Sequence, residues 1–219
     1  MKRKIAVIGL GMFGASLARS LYERGADVLA VDIDKDLVHK IQNDCSRAVV
    51  ADATDKETLA ELGLQEMDIV ISGLGAPLDR SILATLYLKQ LGVREIWAKA
   101  VSDEHGSILK ILGAAKVIHP EKDMAVKLAA TLTTPLMMDH LPLGADYSII
   151  EITCPPSFME KSIMDLQLRN KHGVLIVAVK KPGADELIML PTPDYVLRSG
   201  DVMVVIGHQN SLEKIFGMA

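Results

Sequence analysis

Lys4-Ile5-Ala6-Val7-Ile8-Gly9-Leu10-Gly11-Met12-Phe13-Gly14-Ala15-Ser16-Leu17-Ala18-Arg19-Ser20-Leu21 is the stretch whose reading decides the fold. Residues 4–8 form an apolar run of strand length, and Leu17, Ala18 and Leu21 return at helical spacing. A strand, a tight glycine turn and a helix start together make the arrangement that cradles the phosphates of a nucleotide or dinucleotide. Gly9 permits the turn, Gly11 lets a ligand approach the backbone, and Gly14 lets helix and strand pack closely. Free N–H groups and the positive end of the helix dipole then face the phosphates.

The next strand supports this reading. Asp27-Val28-Leu29-Ala30-Val31 ends in Asp32, where an acid accepts hydrogen bonds from both ribose hydroxyls and repels a 2′-phosphate. Further short apolar runs fall at 48–50, 69–72, 96–98 and 117–118, with helical segments at 35–43, 78–91 and 102–112 between them. Thr54-Asp55-Lys56-Glu57 reads as a capping box opening another helix that ends near Gly63. Strands alternating with helices and lacking hairpin signals imply parallel pairing with right-handed crossovers. The expected fold class is α/β, a Rossmann-type doubly wound parallel sheet of six strands with its ligand crevice at their carboxyl ends.

The character changes after residue 120. Residues 122–134 read as one more helix closed by Pro135, and Asp139-His140-Leu141-Pro142-Leu143-Gly144-Ala145-Asp146 has the turn chemistry of a linker. Strands then follow without long helices between them, at 147–153, 174–180, 187–190 and 202–206, with short helices at 162–168 and 211–216. The turn around Pro182-Gly183-Ala184-Asp185 joins the second and third of these as a hairpin. The expected organisation is a nucleotide-binding domain at 1–120, a connecting helix and linker at 121–140, and a small α+β C-terminal domain at 141–219. A core of that size is marginal alone, so association helps. The apolar segment 108–112 and the helix 124–132 are the candidate contact faces.

Composition narrows the partners. The 219 residues are 49% apolar and 24% charged, as in ordinary globular proteins. A net charge of −4 with scattered Lys and Arg argues against nucleic acid. No run reaches the ~20 apolar residues that span a bilayer, so direct membrane insertion is not expected. Cys45 and Cys154 match no metal spacing and read as free thiols of a reducing cytosol.

Taken over almost its whole length, the chain resembles the cytosolic regulatory subunits of Ktr/Trk-type potassium uptake systems, built of RCK N-terminal and RCK C-terminal (TrkA-C) domains. The residues that carry the resemblance are Val7–Gly14, Val31-Asp32, Ala51-Asp52-Ala53-Thr54 and His119-Pro120-Glu121-Lys122-Asp123-Met124. In the second half they are Gly173-Val174, Pro191 and Arg198-Ser199-Gly200-Asp201-Val202. The resemblance implies an octameric ring below a membrane-embedded potassium-translocating subunit, with nucleotide exchange in the first domain changing the ring's shape. The chain is then cytoplasmic and peripheral to the membrane through that partner.

The site residues follow from the fold and the resemblance together. Gly9, Gly11, Met12, Phe13 and Gly14 form the phosphate turn, and Asp32, Ile33 and Asp34 the ribose edge. Asp52 and Ala53 lie where this fold places adenine, and Leu74, Gly75 and Ala76 approach the phosphates or second ribose. Lys99 is a candidate phosphate counter-charge, with a surface lysine as the alternative, and His105 a candidate contact or a helix cap. Glu121 resembles the family's acid that reaches the terminal phosphates, through Mg²⁺ or Ca²⁺ because bare carboxylate and polyphosphate repel. Met12 departs from the family pattern, where an arginine clamps the γ-phosphate. ATP, ADP and NAD(H) therefore all stay open as cofactors. In the second domain Ile163, Leu168, Arg169, Asn170, His172 and Pro191 fall where some bacterial relatives bind cyclic di-AMP.

The sequence points to a non-catalytic, ligand-read switch. A free-standing nucleotide sensor and a small NAD-dependent oxidoreductase are the alternatives. The second half offers no acid–base cluster for a nicotinamide, and the fold alone does not confer chemistry.

Overall fold

The computed structural model describes residues 2–133, 137–144, 146–184 and 186–217. The chain divides into two compact units, Met1–Asp123 and Met124–Ala219.

In the first unit the strands are β1 (Lys4–Ile8), β2 (Asp27–Asp32), β3 (Arg47–Val50), β4 (Ile69–Ser72), β5 (Ile96–Lys99) and β6 (Lys116–Ile118). The helices between them are α1 (Met12–Glu23), α2 (Lys35–Ile41), α3 (Lys56–Glu61), α4 (Leu78–Gln90) and α5 (Asp103–Ile111). All six strands pair in parallel in the order β3-β2-β1-β4-β5-β6. The order reverses between β1 and β4, and a crevice opens there at the carboxyl ends.

Strand alternation sorts the core onto two faces. Ala6, Ile8, Leu29, Val31 and Val70 point to one side, against Leu59 of α3 and Ala84 and Leu88 of α4. Ile5, Val7, Val28, Ala30, Ile69 and Ile71 point to the other, against Ala18 of α1 and Val38 and Ile41 of α2. Both faces are covered, so these strands read as unbroken apolar runs instead of alternating ones. Each fully buried Ile or Leu contributes about 1.5–3 kcal/mol relative to exposure. That burial holds the strand ends, and hence the crevice, in place.

Helix α6 (Pro120–Thr133) follows, with its proline at the first helical position, where a missing N–H costs nothing. The second unit is a five-stranded antiparallel sheet in the order β10-β9-β11-β8-β7. Its strands are β7 (Met137–Leu143), β8 (Tyr147–Thr153), β9 (Leu175–Lys180), β10 (Leu187–Met189) and β11 (Val202–His208). Its helices are α7 (Ile163–Leu166), α8 (Leu168–His172) and α9 (Gln209–Phe216). Ile150, Ile152, Met203 and Val205 line its core with Leu168, Leu212 and Phe216. Phe158 meets Phe216 edge to face at 5.8 Å.

Three local expectations give way. The linker expected across 139–146 contains β7, an outer strand paired with β8 from Met137 to Leu143. Pro142 is tolerated there because an edge strand leaves one row of backbone groups unpaired. Thr54 does not cap α3; Asp55 does, accepting from Glu57 N–H at 3.0 Å, while Thr54 turns its N–H and hydroxyl to Asp52. The single helix expected at 162–168 is broken at Gln167, whose φ of 48° is left-handed. The Ser162–Asp165 capping box starts α7, and α8 begins after the break. Pro135 and Asp185 lie outside the described residues.

Candidate functional site

The glycine turn is built by steric demand. A Cβ on Gly14 would lie 1.8 Å from the carbonyl oxygen of Gly9, inside any permissible contact. Gly9 takes φ +90°, and a Cβ there would meet the Leu74 side chain at 2.9 Å and its backbone nitrogen at 3.1 Å. Gly11 differs. Its φ is an ordinary −60°, and no described atom lies within 4 Å of the Cβ it lacks. Packing therefore places no demand on glycine at 11, which is the N-cap of α1, and the space beside it is open at the start of that helix. The first N–H groups of that helix have no intrahelical acceptor.

Asp32, at the end of β2, ties the turn down. Its carboxylate accepts from Leu10 N–H at 2.5 Å and from Asp34 N–H at 2.9 Å. A carboxylate has about four acceptor positions, so ribose hydroxyls can still be received. Asp34 itself caps α2, accepting from Asp36 N–H at 2.8 Å. A cavity of about 80 Å³ beside Asp32 is lined by Ile8, Gly9, Ile33, Ala51, Ala53, Leu74 and Arg80. Asp52 does not line it. Its Oδ1 accepts from Thr54 and from Arg80 Nη2, the latter at 3.1 Å, and the Thr54 bonds foremost hold its carboxyl below the usual range. Arg80 lines this cavity, and no motif marks it. The only sequence signal is its place in the first turn of the helix that follows the glycine loop after β4.

At the start of α1 Met12 is almost fully exposed, at 92%. Lys99, at the end of β5, has a largely buried side chain, with Nζ 6.0 Å from the Phe13 ring centroid. Nζ also donates to Glu121 Oε1, and Lys99 passes beside Gly75, where a Cβ would come within 3.8 Å of Nζ. The ion pair holds the Glu121 carboxyl below the usual carboxylate range. Lys99, Phe13, Gly75 and Glu121 are thus brought together, whereas Ala76 is exposed in the loop beyond.

His105 takes the cap-like place. It is buried, its Nδ1 accepts from Val101 N–H at 3.3 Å, and its own backbone N–H donates to Ser102 Oγ. It supports the turn after β5 and does not reach the crevice surface. Among the described residues no three His, Cys, Asp or Glu side chains are grouped to hold a metal ion. Cys45 and Cys154 are free and buried, and burial pushes the Cys154 thiol up to about 11.

The second unit holds a cleft of about 310 Å³ on α7 and α8. Ile163, Leu168, Arg169, Asn170 and Pro191 line it, with Met164, Val174, Ile176 and Pro193. His172 is not among the lining residues; it ends α8 just before Gly173.

The TrkA-N domain pattern matches residues 5–120 and the TrkA-C domain pattern residues 149–217. Ktr system potassium uptake protein C of Bacillus subtilis (strain 168) is 39% identical over 214 residues, covering 98% of this chain and 96% of that one. The chain belongs to this family. Ktr system potassium uptake protein A of the same organism is 38% identical over 212 residues, 97% of this chain and 95% of its own. A structure described as the GsuK channel bound to NAD covers 100% of this chain and 40% of its own. It superposes with a TM-score of 0.67 at 22% identity, a likeness of fold. Among the described residues no helix is long and apolar enough to cross a membrane.

Proposed function

We propose that the chain is a non-catalytic, nucleotide-binding regulatory subunit of a potassium uptake system, working in the cytoplasm beneath a membrane-embedded translocating subunit. Gly11 carries the reading. It is a glycine that side-chain packing does not require, placed in open space between a helix start and the ribose-edge acid Asp32. Full-length relation to two Ktr system proteins supports the partner, and NAD in the GsuK channel supports the ligand class.

In this reading phosphates sit on the turn Gly9–Gly14, the ribose on Asp32 with Ile33 and Asp34 beside it, and the base toward Ala53 and Asp52. Lys99 is the counter-charge, and Leu74, Gly75 and Ala76 form the far wall. Glu121 faces the phosphates only through a bridging Mg²⁺ or Ca²⁺. The domains are assigned as 1–120 for nucleotide binding, 121–140 for the connection, less the β7 residues 137–140, and 141–219 for the C-terminal domain. The α7–α8 cleft is the place for cyclic di-AMP, where Arg169 pairs with a phosphate against the apolar walls of Ile163 and Pro191.

The switch is linkage: a ligand favours whichever ring shape it binds more tightly. Coupling per site is typically about 1–3 kcal/mol, while moving a two-state equilibrium from 1:99 to 99:1 takes about 5.5 kcal/mol. Several coupled sites are needed, which a ring supplies. Calorimetry with ATP, ADP, NADH and NADPH tests the site, and NADPH is expected to bind weakest. Reconstitution with a potassium-translocating subunit tests the role through nucleotide-dependent K⁺ flux. Flux indifferent to every nucleotide, or steady NADH turnover by the purified chain, would overturn the assignment.

A further inference from the structure

The cavity beside Asp32 is about 80 Å³. Pockets that enclose a small molecule run to about 300–1,000 Å³. A base enters only if a wall moves. Gly9, Asp32 and Ala51 sit at or next to strand ends, where the sheet holds them. Arg80 is the longest and most rotatable side chain among the described lining residues. Among the described residues its guanidinium is held by one bond, Nη2 to Asp52 Oδ1 at 3.1 Å, and both side chains are about a third exposed, at 33% and 37%. That oxygen already accepts from Thr54 N–H at 2.9 Å and Thr54 Oγ1 at 2.7 Å. Asp52 is therefore anchored independently, and the partly solvated tether to Arg80 is cheap to break.

Sharing the cavity with Arg80 are the apolar Ile33, Ala53 and Leu74. A planar cation and an apolar wall on one slot suit an aromatic ring, because guanidinium groups stack on π faces, nucleobases included. Met12 and Phe13, which start the phosphate turn, do not line this cavity, so Arg80 belongs to its base end. We propose that Arg80 is a base-contacting residue that swings off Asp52 to admit the base and then lies across its face. The inference rests on the nucleotide-binding reading above.

The test is ADP titration of the wild type, Arg80→Ala, Arg80→Gln, Arg80→Lys and Asp32→Ala at low and high salt, with ligand-free thermal unfolding of each. Arg80→Ala is expected to weaken ADP about five- to thirtyfold at both salt concentrations, since a desolvated cation–π contact is worth that much. Arg80→Lys keeps a cation but loses the stacking plane, and is expected to recover only part of the affinity. Arg80→Gln gives the same answer if the alanine variant folds poorly. Unchanged affinity in Arg80→Ala and Arg80→Gln overturns the proposal. So does full rescue by lysine, or a loss that vanishes at high salt, because either marks a phosphate contact. If Asp32→Ala weakens ADP while the Arg80 variants do not, only this proposal fails. If the wild type binds no adenine nucleotide, the underlying reading fails with it.

Discussion

At the residue scale, glycines of one motif do different work. Gly14→Ala would force its Cβ into the Gly9 carbonyl oxygen, 1.8 Å away, and is expected to destabilise the fold by about 1–3 kcal/mol or more. Gly11→Ala meets no packed atom and loses only a helix N-cap preference, so it is expected to cost less stability than Gly14→Ala while weakening adenine nucleotides. Equal loss of stability in the two variants would show that Gly11 too serves packing. Met12 has 92% of its surface free and carries neither charge nor donor. Met12→Arg is expected to tighten ATP selectively, roughly ten- to a hundredfold, because a hydrogen bond to a charged group contributes about 1.5–3 kcal/mol. ADP and NADH should change little. A wild type that already prefers ATP more than tenfold without divalent ions assigns the γ-phosphate to another residue, Lys99 first. Asp32 pins the turn through Leu10 N–H, a structural role that no motif reveals. Asp32→Ala must therefore be checked for ligand-free stability before its affinity is interpreted.

At the scale of elements, the turn after β5 contains a buried titratable group. Desolvation foremost, and the charge of His119, hold the His105 ring below the usual histidine range. A base depressed in the folded state binds its proton more readily when unfolded. Its stabilising contribution is therefore full above about pH 6.5 and is lost as pH falls below that value. His105→Gln keeps an acceptor for Val101 N–H without the titratable ring. Its unfolding temperature is expected to fall less than the wild type's on moving from about pH 7.5 to about pH 5. Identical slopes would place the acid sensitivity elsewhere. Element existence was legible where an unbroken apolar run or clear helical spacing marked it, as in β1, β2, α1 and α5. It was illegible where tertiary pairing overrode local chemistry. Asp139, Pro142 and Gly144 carry turn signals, yet β8 recruits residues 137–143 as an edge strand.

At the scale of the whole molecule, the exposed side chains point to association. Met124, Val126, Leu128 and Leu132 of α6, and Ile108 and Ile111 of α5, are large, apolar and exposed. The chain is expected to be a dimer or larger oligomer at micromolar concentration without a membrane partner, and Val126→Glu with Leu132→Glu is expected to shift it toward monomer in light scattering. A monomeric wild type would remove the ring mechanism. The C-terminal cleft yields an independent test: Arg169→Ala is expected to abolish cyclic di-AMP binding while ADP affinity is unchanged. No wild-type binding at tens of micromolar (about 6–7 kcal/mol) would empty that cleft of the assignment.

The sequence alone determined the parallel doubly wound sheet, the glycine turn, the acid at the end of β2 and the change of character after residue 120. Each is local: apolar runs, glycine spacing and caps act within a few residues, so they can be read along the chain. Tertiary structure alone decided which of these groups meet. It brought Arg80 to the cavity beside Asp32, paired Lys99 with Glu121 and buried His105 against the turn it caps. It also put Ile163, Arg169 and Pro191 on one cleft while leaving His172 off it. Those are contacts between residues distant in sequence, set by strand order and helix packing. No periodicity encodes them, because a side chain's neighbours across a sheet depend on the register of strands that the local pattern does not specify.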